Sequence, residues 1–348
     1  NSLPVAPVAP KTKACDFFIL IIYIRKNDLK IISMNILSKI KAKIFYKLTD
    51  IILNKINTNK FEIINHKKPL AKLVSTMAST GAGTDECLNN GALPVPIDFY
   101  NPVPDIIDLE RRNIWGKKSD LNGINFNIDF QLKFLKELGK EFSDECSWSY
   151  SNTDSSKFHL DNSVPFGFGC AAYTHSIIRK YKPKKIIEFG SGYSSKVIAS
   201  AIEKNKIENS IKCNYTIIDP FPDKLIKNNE LKNITNLYEE KAEQTDISLF
   251  KTLKKDDILF IDSSHMVRAG SDVNYAILDI LPILKKGVII HFHDIPMPFE
   301  YNKIYFTNPN FRVFWTESYL LQAYLINNNN VEILAALKYL MTEKKIYF

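Results

Sequence analysis

Between residues 184 and 294, short apolar runs alternate with stretches of helical spacing. Ile186-Ile187-Glu188-Phe189 reads as a buried strand, and Val197, Ile198, Ala201 and Ile202 then recur at helical intervals. A second strand is expected over 215–218, a weaker third over 234–238, a fourth over 257–262 and a fifth over 287–294, with a helix over 271–284. Strand and helix in strict alternation predict an α/β fold: a doubly wound, mostly parallel sheet of Rossmann-like type. Val331 to Leu337 reads as a sixth strand, whereas Ile346-Tyr347-Phe348 is too short to read as one.

Upstream of this region the pattern changes. Residues 130–142 have helical spacing, while 66–105 show little periodicity and carry turn signals such as Thr80-Gly-Ala-Gly-Thr84 and Asn89-Asn-Gly91. That stretch is expected to be an irregular linker ahead of a main domain spanning 106–348. Ile40, Ile44, Leu48, Ile51, Ile52 and Ile56 form one apolar stripe, with Lys39, Lys41, Lys43 and Lys47 elsewhere on the surface. This predicts a basic amphipathic helix within 34–65, an N-terminal helical extension. Its apolar face either packs on the protein's own body or, through 35–57, lies on an anionic membrane. The first methionine is Met34, so 1–33 are expected to be a leader without a structural role.

The chemistry concentrates where strands end. Glu188-Phe189-Gly190-Ser191-Gly192-Tyr193-Ser194-Ser195 turns from a strand into a helix through two glycines, which lets backbone N–H groups approach a ligand closely. A dinucleotide fingerprint would place a third glycine where Ser195 stands. Together with Glu188, this favours a positively charged or amino-bearing ligand over a pyrophosphate-bearing nicotinamide dinucleotide, and the segment resembles motif I of the class I S-adenosylmethionine (SAM) methyltransferases. Asp219 ends the second strand, where it either accepts hydrogen bonds from ribose hydroxyls or caps the helix expected near Pro222. Glu243 is an adenine-side candidate. Asp262 and Asp294 end the fourth and fifth strands, and four acids at four carboxyl ends predict a ligand site. Asp272 is expected to cap the helix after Gly270. His265 follows Asp262 by three residues and is suited to take a hydroxyl proton. His291 and His293 share one strand face.

The segments Glu188–Ser195, 257–265, Gly270-Ser-Asp-Val-Asn-Tyr275 and Ile290-His-Phe-His-Asp-Ile295, in this order, resemble the class I SAM-dependent methyltransferases. Within that class they are similar to methyltransferase family 24, which includes metal-assisted O-methyltransferases acting on sugar hydroxyls. The resemblance spans about residues 98–340 and includes Tyr100-Asn-Pro-Val-Pro104. It implies SAM bound by Glu188, Gly190, Ser191, Gly192, Tyr193, Ser194, Asp219 and Asp262. It also implies His265 as general base and a divalent cation on Asp262, His293 and Asp294. Tyr301 and Trp315 map to the wall of an acceptor pocket, with a core role as their other reading; Leu320 and Leu321 read as core. Two departures stand out. Relatives offer Mg²⁺ a carboxylate where this chain has His293, so either another imidazole-accepting divalent metal binds or none does. The class closes its sheet with a seventh strand, which this chain does not spell out.

Charge narrows the partners. Residues 1–70 hold 13 Lys and Arg against 4 Asp and Glu, so the chain's net +8 comes from its first part and the remainder is close to neutral. No nucleic acid partner is expected for such a catalytic domain; the partner expected is a small-molecule or glycan acceptor. Five scattered cysteines without a C-x-x-C pair fit a reducing cytoplasm, with peripheral membrane contact as the further expectation from 35–57. The main reading is O-methylation. A catalytically inactive methyltransferase-fold binding module, attached to a membrane or partner, is the alternative.

Overall fold

A computed structural model describes residues 67–150, 154–160 and 166–343. The basic amphipathic segment, the leader and the chain's last five residues lie outside that range. The chain divides into two compact units, Asn1–Pro102 and Val103–Phe348.

In the first unit two helices are described, α1 (Lys67–Thr80) and α2 (Thr84–Asn89). The expectation of irregular chain over 66–105 is corrected for 67–89, where these two helices stand. Ala, Leu, Lys and Met dominate α1 and favour helix, and the turn signals act only at the break, where Gly81 and Gly83 take φ of 69° and 72°.

The second unit is built on five parallel strands: β1 (Lys185–Phe189), β2 (Asn214–Ile218), β3 (Asn236–Tyr238), β4 (Ile258–Ile261) and β5 (Ile289–Phe292). Their spatial order is β3-β2-β1-β4-β5. The order reverses between β1 and β4, so the turns leaving these neighbours open a crevice at the sheet's carboxyl edge. Register is set by the buried pleat: Glu188 lies opposite Ile217 on one side and Phe260 on the other. Ile186, Ile217 and Phe260 face one layer with Ile177, Ile178, Val197 and Ile198. Ile187, Phe189, Leu259 and Ile261 face the other, with Phe250, Leu253 and Ile280. Both faces are covered, which is why the strands read as continuous apolar runs.

Helix α4 (Ile128–Phe142), preceded in this unit by α3 (Ile106–Arg111), starts two residues before the expected position. Helix α5 (Phe168–Tyr181) leads into β1, and α6 (Tyr193–Asn209) follows the Gly-Ser-Gly turn. The short α7 (Lys224–Lys227) follows β2. The helix expected over 271–284 runs as α8 (Asp272–Asn274), a π-helical stretch Tyr275–Ile280 and a final tight turn Leu281–Ile283. After β5 come α9 (Lys303–Thr307), α10 (Glu317–Leu325) and α11 (Leu337–Glu343).

The sixth strand expected over 331–337 does not form. Ala335 and Ala336 break the period-two pattern, and Leu337 starts α11. The Ala336 N–H goes to the Gln131 side chain at 2.7 Å instead of a neighbouring strand. Among the described residues the sheet therefore ends at β5. No helix among them is long and apolar enough to cross a membrane.

Candidate functional site

The turn after β1 is fixed by what lies beneath it. Gly190 takes φ 76°, its N–H donates to the Ile218 carbonyl at 3.0 Å, and a Cβ on it would stand 1.9 Å from the Asp262 carbonyl oxygen. The turn from β1 is thus laid directly on the start of the loop after β4. Gly192 faces open space. Its N–H donates to Ser195 Oγ at 3.0 Å, and that hydroxyl donates in turn to Glu188 Oε2 at 2.8 Å. The serine in place of a third fingerprint glycine has a definite job: it ties the turn to the buried acid.

Glu188 is placed differently from the expectation of a ligand-gripping acid. It is fully buried, and its oxygens accept from the hydroxyls of Ser194 (2.7 Å), Ser195 and Tyr215. Burial pushes its carboxyl up to about 7, against the pull of the three hydroxyl donors. Ser194 is likewise turned inward, while Tyr193 is half-buried and carries the Lys196 ammonium 4.7 Å over its ring.

Asp219 sits one residue beyond β2 and reaches the turn: Ser191 Oγ donates to its Oδ2 at 2.5 Å, and the Phe221 N–H to its Oδ1 at 2.7 Å. The helix-capping alternative is settled against it, since Asp223 caps α7 by accepting from the Ile226 N–H. A similar correction holds at Asp272. Ser271 is the cap of α8, whereas Asp272 accepts from the main-chain N–H and the hydroxyl of Ser264 and so braces the loop after β4. Glu243 lies in a short turn after β3.

The loop after β4 and the segment after β5 bring Asp262, His265, His293 and Asp294 together. His265 Nε2 is 3.4 Å from Asp262 Oδ1 and 3.9 Å from Asp294 Oδ2. His293 Nδ1 is 3.4 Å from Asp262 Oδ1 and 3.4 Å from Asp294 Oδ1, and neither of its ring nitrogens has a hydrogen-bond partner. The imidazole is buried and stacks on Phe166 at 5.0 Å. Single donor atoms of Asp262, His265 and Asp294 lie within 4.8 Å of one another, a grouping suited to a metal ion. His265 and Asp294 both adopt left-handed backbone, φ 57° and 53°, which side chains other than glycine hold only where their surroundings over-determine them.

Electrostatics follows from this crowding. Burial would raise Asp262, yet the two imidazoles hold it below the usual carboxylate range. Burial would lower His265, but Asp262 and Glu317 more than reverse that and lift it to about 9. His291, on the same face as His293 and nearly parallel to it, is pushed down to about 3 by burial, with the neighbouring His293 charge adding to the effect. It packs on Phe260 and takes no part in the cluster.

The two aromatic candidates separate. Tyr301 is buried and its hydroxyl accepts from the Ser318 N–H, so it supports α10 and is no exposed stacking face. Trp315 is half-buried with its ring 4.5 Å from that of His265. Leu321 is core, and Leu320 packs against it. Glu317 is the residue that sequence reasoning missed. It is fully buried, and its Oε2 lies 2.6 Å from His265 Nδ1. Its only signal was an acid at the head of an otherwise apolar helix.

Residues 187–295, 109 of the chain's 348, match a family model described as a methyltransferase domain. The match takes in the Gly-Ser-Gly turn and the Asp262, His265, His293 and Asp294 cluster, and stops before Tyr301, Trp315 and Glu317. An uncharacterized protein of Archaeoglobus fulgidus is 29% identical over 197 residues, covering 54% of this chain and 86% of its own. No solved structure matches.

Proposed function

We propose that this chain is a SAM-dependent methyltransferase acting on a hydroxyl of a small molecule or glycan. The observation that carries the reading is the juxtaposition at the sheet's carboxyl edge. A Gly-Ser-Gly turn tied to Asp219 sits directly on Asp262, and Asp262 belongs to a polar cluster in which His265 Nε2 lies 3.4 Å from its Oδ1. The methyltransferase-domain match covers both halves of that arrangement.

In this reading the Gly190–Tyr193 turn and Asp219 hold SAM, whose sulfonium supplies an electrophilic methyl group. Glu188 shapes the turn from below through Ser194 and Ser195. Trp315 forms one wall for the acceptor beside His265. In its neutral form His265 takes the hydroxyl proton at Nε2 as the oxygen gains the methyl group and a thioether leaves; with the imidazole lifted to about 9, that form grows as pH rises toward this value. Asp262, His293 and Asp294, with His293 Nδ1 3.4 Å from an oxygen of each carboxylate, would hold a divalent cation that accepts nitrogen, and His265 offers a second nitrogen to the same two acids. Such an ion would lower the hydroxyl's pKa and neutralise the paired carboxylates.

Calorimetric titration of the full chain with SAM and S-adenosylhomocysteine, with NADH as control, tests the cofactor. Micromolar SAM binding that weakens about tenfold in Asp219→Asn, with unfolding temperature unchanged, is the expected result. Asparagine keeps an acceptor for Phe221 while removing the carboxylate that would meet the ribose. Absence of SAM binding by folded protein would overturn the reading in favour of the inactive-module alternative.

A further inference from the structure

His265 is held from two sides by one helix start. Its main-chain carbonyl accepts from the Thr316 N–H at 2.8 Å and the Glu317 N–H at 3.0 Å, and Thr316 Oγ1 accepts from the Val267 N–H at 2.8 Å. Glu317, the first residue of α10, turns its side chain inward and meets the imidazole at Nδ1, 2.6 Å away. The Trp315 ring packs on the imidazole from the same segment. What remains open on the ring is Nε2, aimed at Asp262 and Asp294.

This is a poor arrangement if stability alone is served. Glu317 is wholly removed from water, and its other oxygen, Oε1, is buried without any hydrogen-bond partner. A buried carboxylate with an unmade bond costs free energy, and an apolar side chain of similar volume would fill the space more favourably. The residue's placement makes sense through what it does to the imidazole. A carboxylate behind one ring nitrogen fixes both the ring's orientation and the nitrogen that carries the proton.

We infer that Glu317 is the positioning residue of His265, engaging Nδ1–H so that Nε2 is presented to the Asp262 and Asp294 carboxylates. The chemical use of that nitrogen rests on the methyl-transfer reading; the positioning does not. Part of the working site therefore lies beyond the segment similar to a methyltransferase domain, supplied by α10.

The test is nuclear magnetic resonance of the full chain labelled with ¹⁵N-histidine, the His265 ring signals being assigned from their loss in His265→Asn. The wild type is expected to show a strongly downfield Nδ1–H proton, as a short bond to a carboxylate gives. In the isosteric Glu317→Gln the signal moves upfield, and in Glu317→Leu it is lost, while the other histidine rings keep their shifts. An unchanged His265 signal in Glu317→Gln, or a wild-type ring without a proton on Nδ1, overturns the inference. Should Glu317→Leu not fold, the isosteric variant still decides. SAM titration of the same samples keeps the two readings apart. Absent SAM binding counts against the methyl-transfer reading, and an indifferent ring signal counts against Glu317.

Discussion

The main-chain oxygen of Asp262 occupies the space a side chain on Gly190 would need, 1.9 Å from an ideal Cβ. The glycine is therefore required twice, for its φ of 76° and for the contact between the β1 and β4 turns. Because the obstacle is backbone, it cannot rotate away. Gly190→Ala is expected to cost about 3 kcal/mol or more, from strain and displacement of the β4 loop. Urea unfolding measures it. A variant as stable as the wild type would show that the two turns do not meet.

Glu188 supplies a pH prediction whose sign is opposite to that of most acids. Burial raises its carboxyl to about 7 in the folded chain, from an ordinary 4.5. The folded state then holds a proton that the unfolded state has released, and wild-type stability declines as pH rises between those values. Glu188→Gln has no proton to lose. Relative to wild type, it should gain about 3 kcal/mol as pH rises from about 4.5 through about 7 and hold that gain above. Unfolding curves of both proteins across this range measure the difference. A constant offset would mean that Glu188 stays ionised throughout.

The cluster of carboxylates and imidazoles yields a prediction about cations. His293 offers nitrogen 3.4 Å from oxygens of both Asp262 and Asp294, so Mn²⁺, Co²⁺ or Zn²⁺ should bind more tightly than Mg²⁺, which prefers oxygen alone. Asp294→Asn is the informative variant, because asparagine tolerates the left-handed backbone at φ 53° while losing the charge. It is expected to weaken Mn²⁺ binding by about tenfold or more without changing the fold. Calorimetry with each chloride salt reads both effects. Equal affinity for Mg²⁺ and Mn²⁺ would remove His293 from the ligand set.

The sheet and the turn after β1 were legible because buried strands and glycine turns leave local marks. Ile186 to Phe189 is apolar on both pleat faces apart from Glu188, and Gly190 can be nothing else. The placement of Asp262, Asp294 and His265 at carboxyl ends followed from the strand pattern alone. What could not be read was long-range pairing. Glu188 meets Tyr215 across 27 residues and His265 meets Glu317 across 52, and neither partnership has a local periodicity. The same limit explains the lost sixth strand, since Ala336 is claimed by Gln131 from 205 residues away. For Tyr301 a pocket wall and a core role both stayed open in the sequence, for a related reason. An aromatic near a site looks like a binding face until the Ser318 N–H that takes its hydroxyl is seen.

Away from the site, Glu145 joins α5 and α6 through charge. Arg179 Nε donates to its Oε2 at 2.9 Å and another guanidinium nitrogen to its Oε1 at 3.1 Å. His175 Nε2 lies 2.8 Å from the same carboxylate, and Lys204 stands at 3.5 Å. Arg179 continues to Asn205 and Glu208 on α6. Burial alone would raise Glu145, but Arg179 and His175 pull its carboxyl down to about 2 from an ordinary 4.5. The unfolded chain then takes up a proton before the folded one does. The stabilisation is complete above about pH 4.5 and disappears as pH falls through about 2. Glu145→Gln should therefore be less stable than wild type by about 2 kcal/mol at about pH 6, since it leaves Arg179 and Lys204 with less negative charge. The gap should close progressively toward acid, as wild-type Glu145 is neutralised in the unfolded state and then in the folded one. Paired urea titrations at several pH values isolate this residue from the other carboxylates, which titrate alike in both proteins. A gap that stays constant from neutral pH to about pH 3 would mean that the carboxylate's charge does not hold α5 to α6.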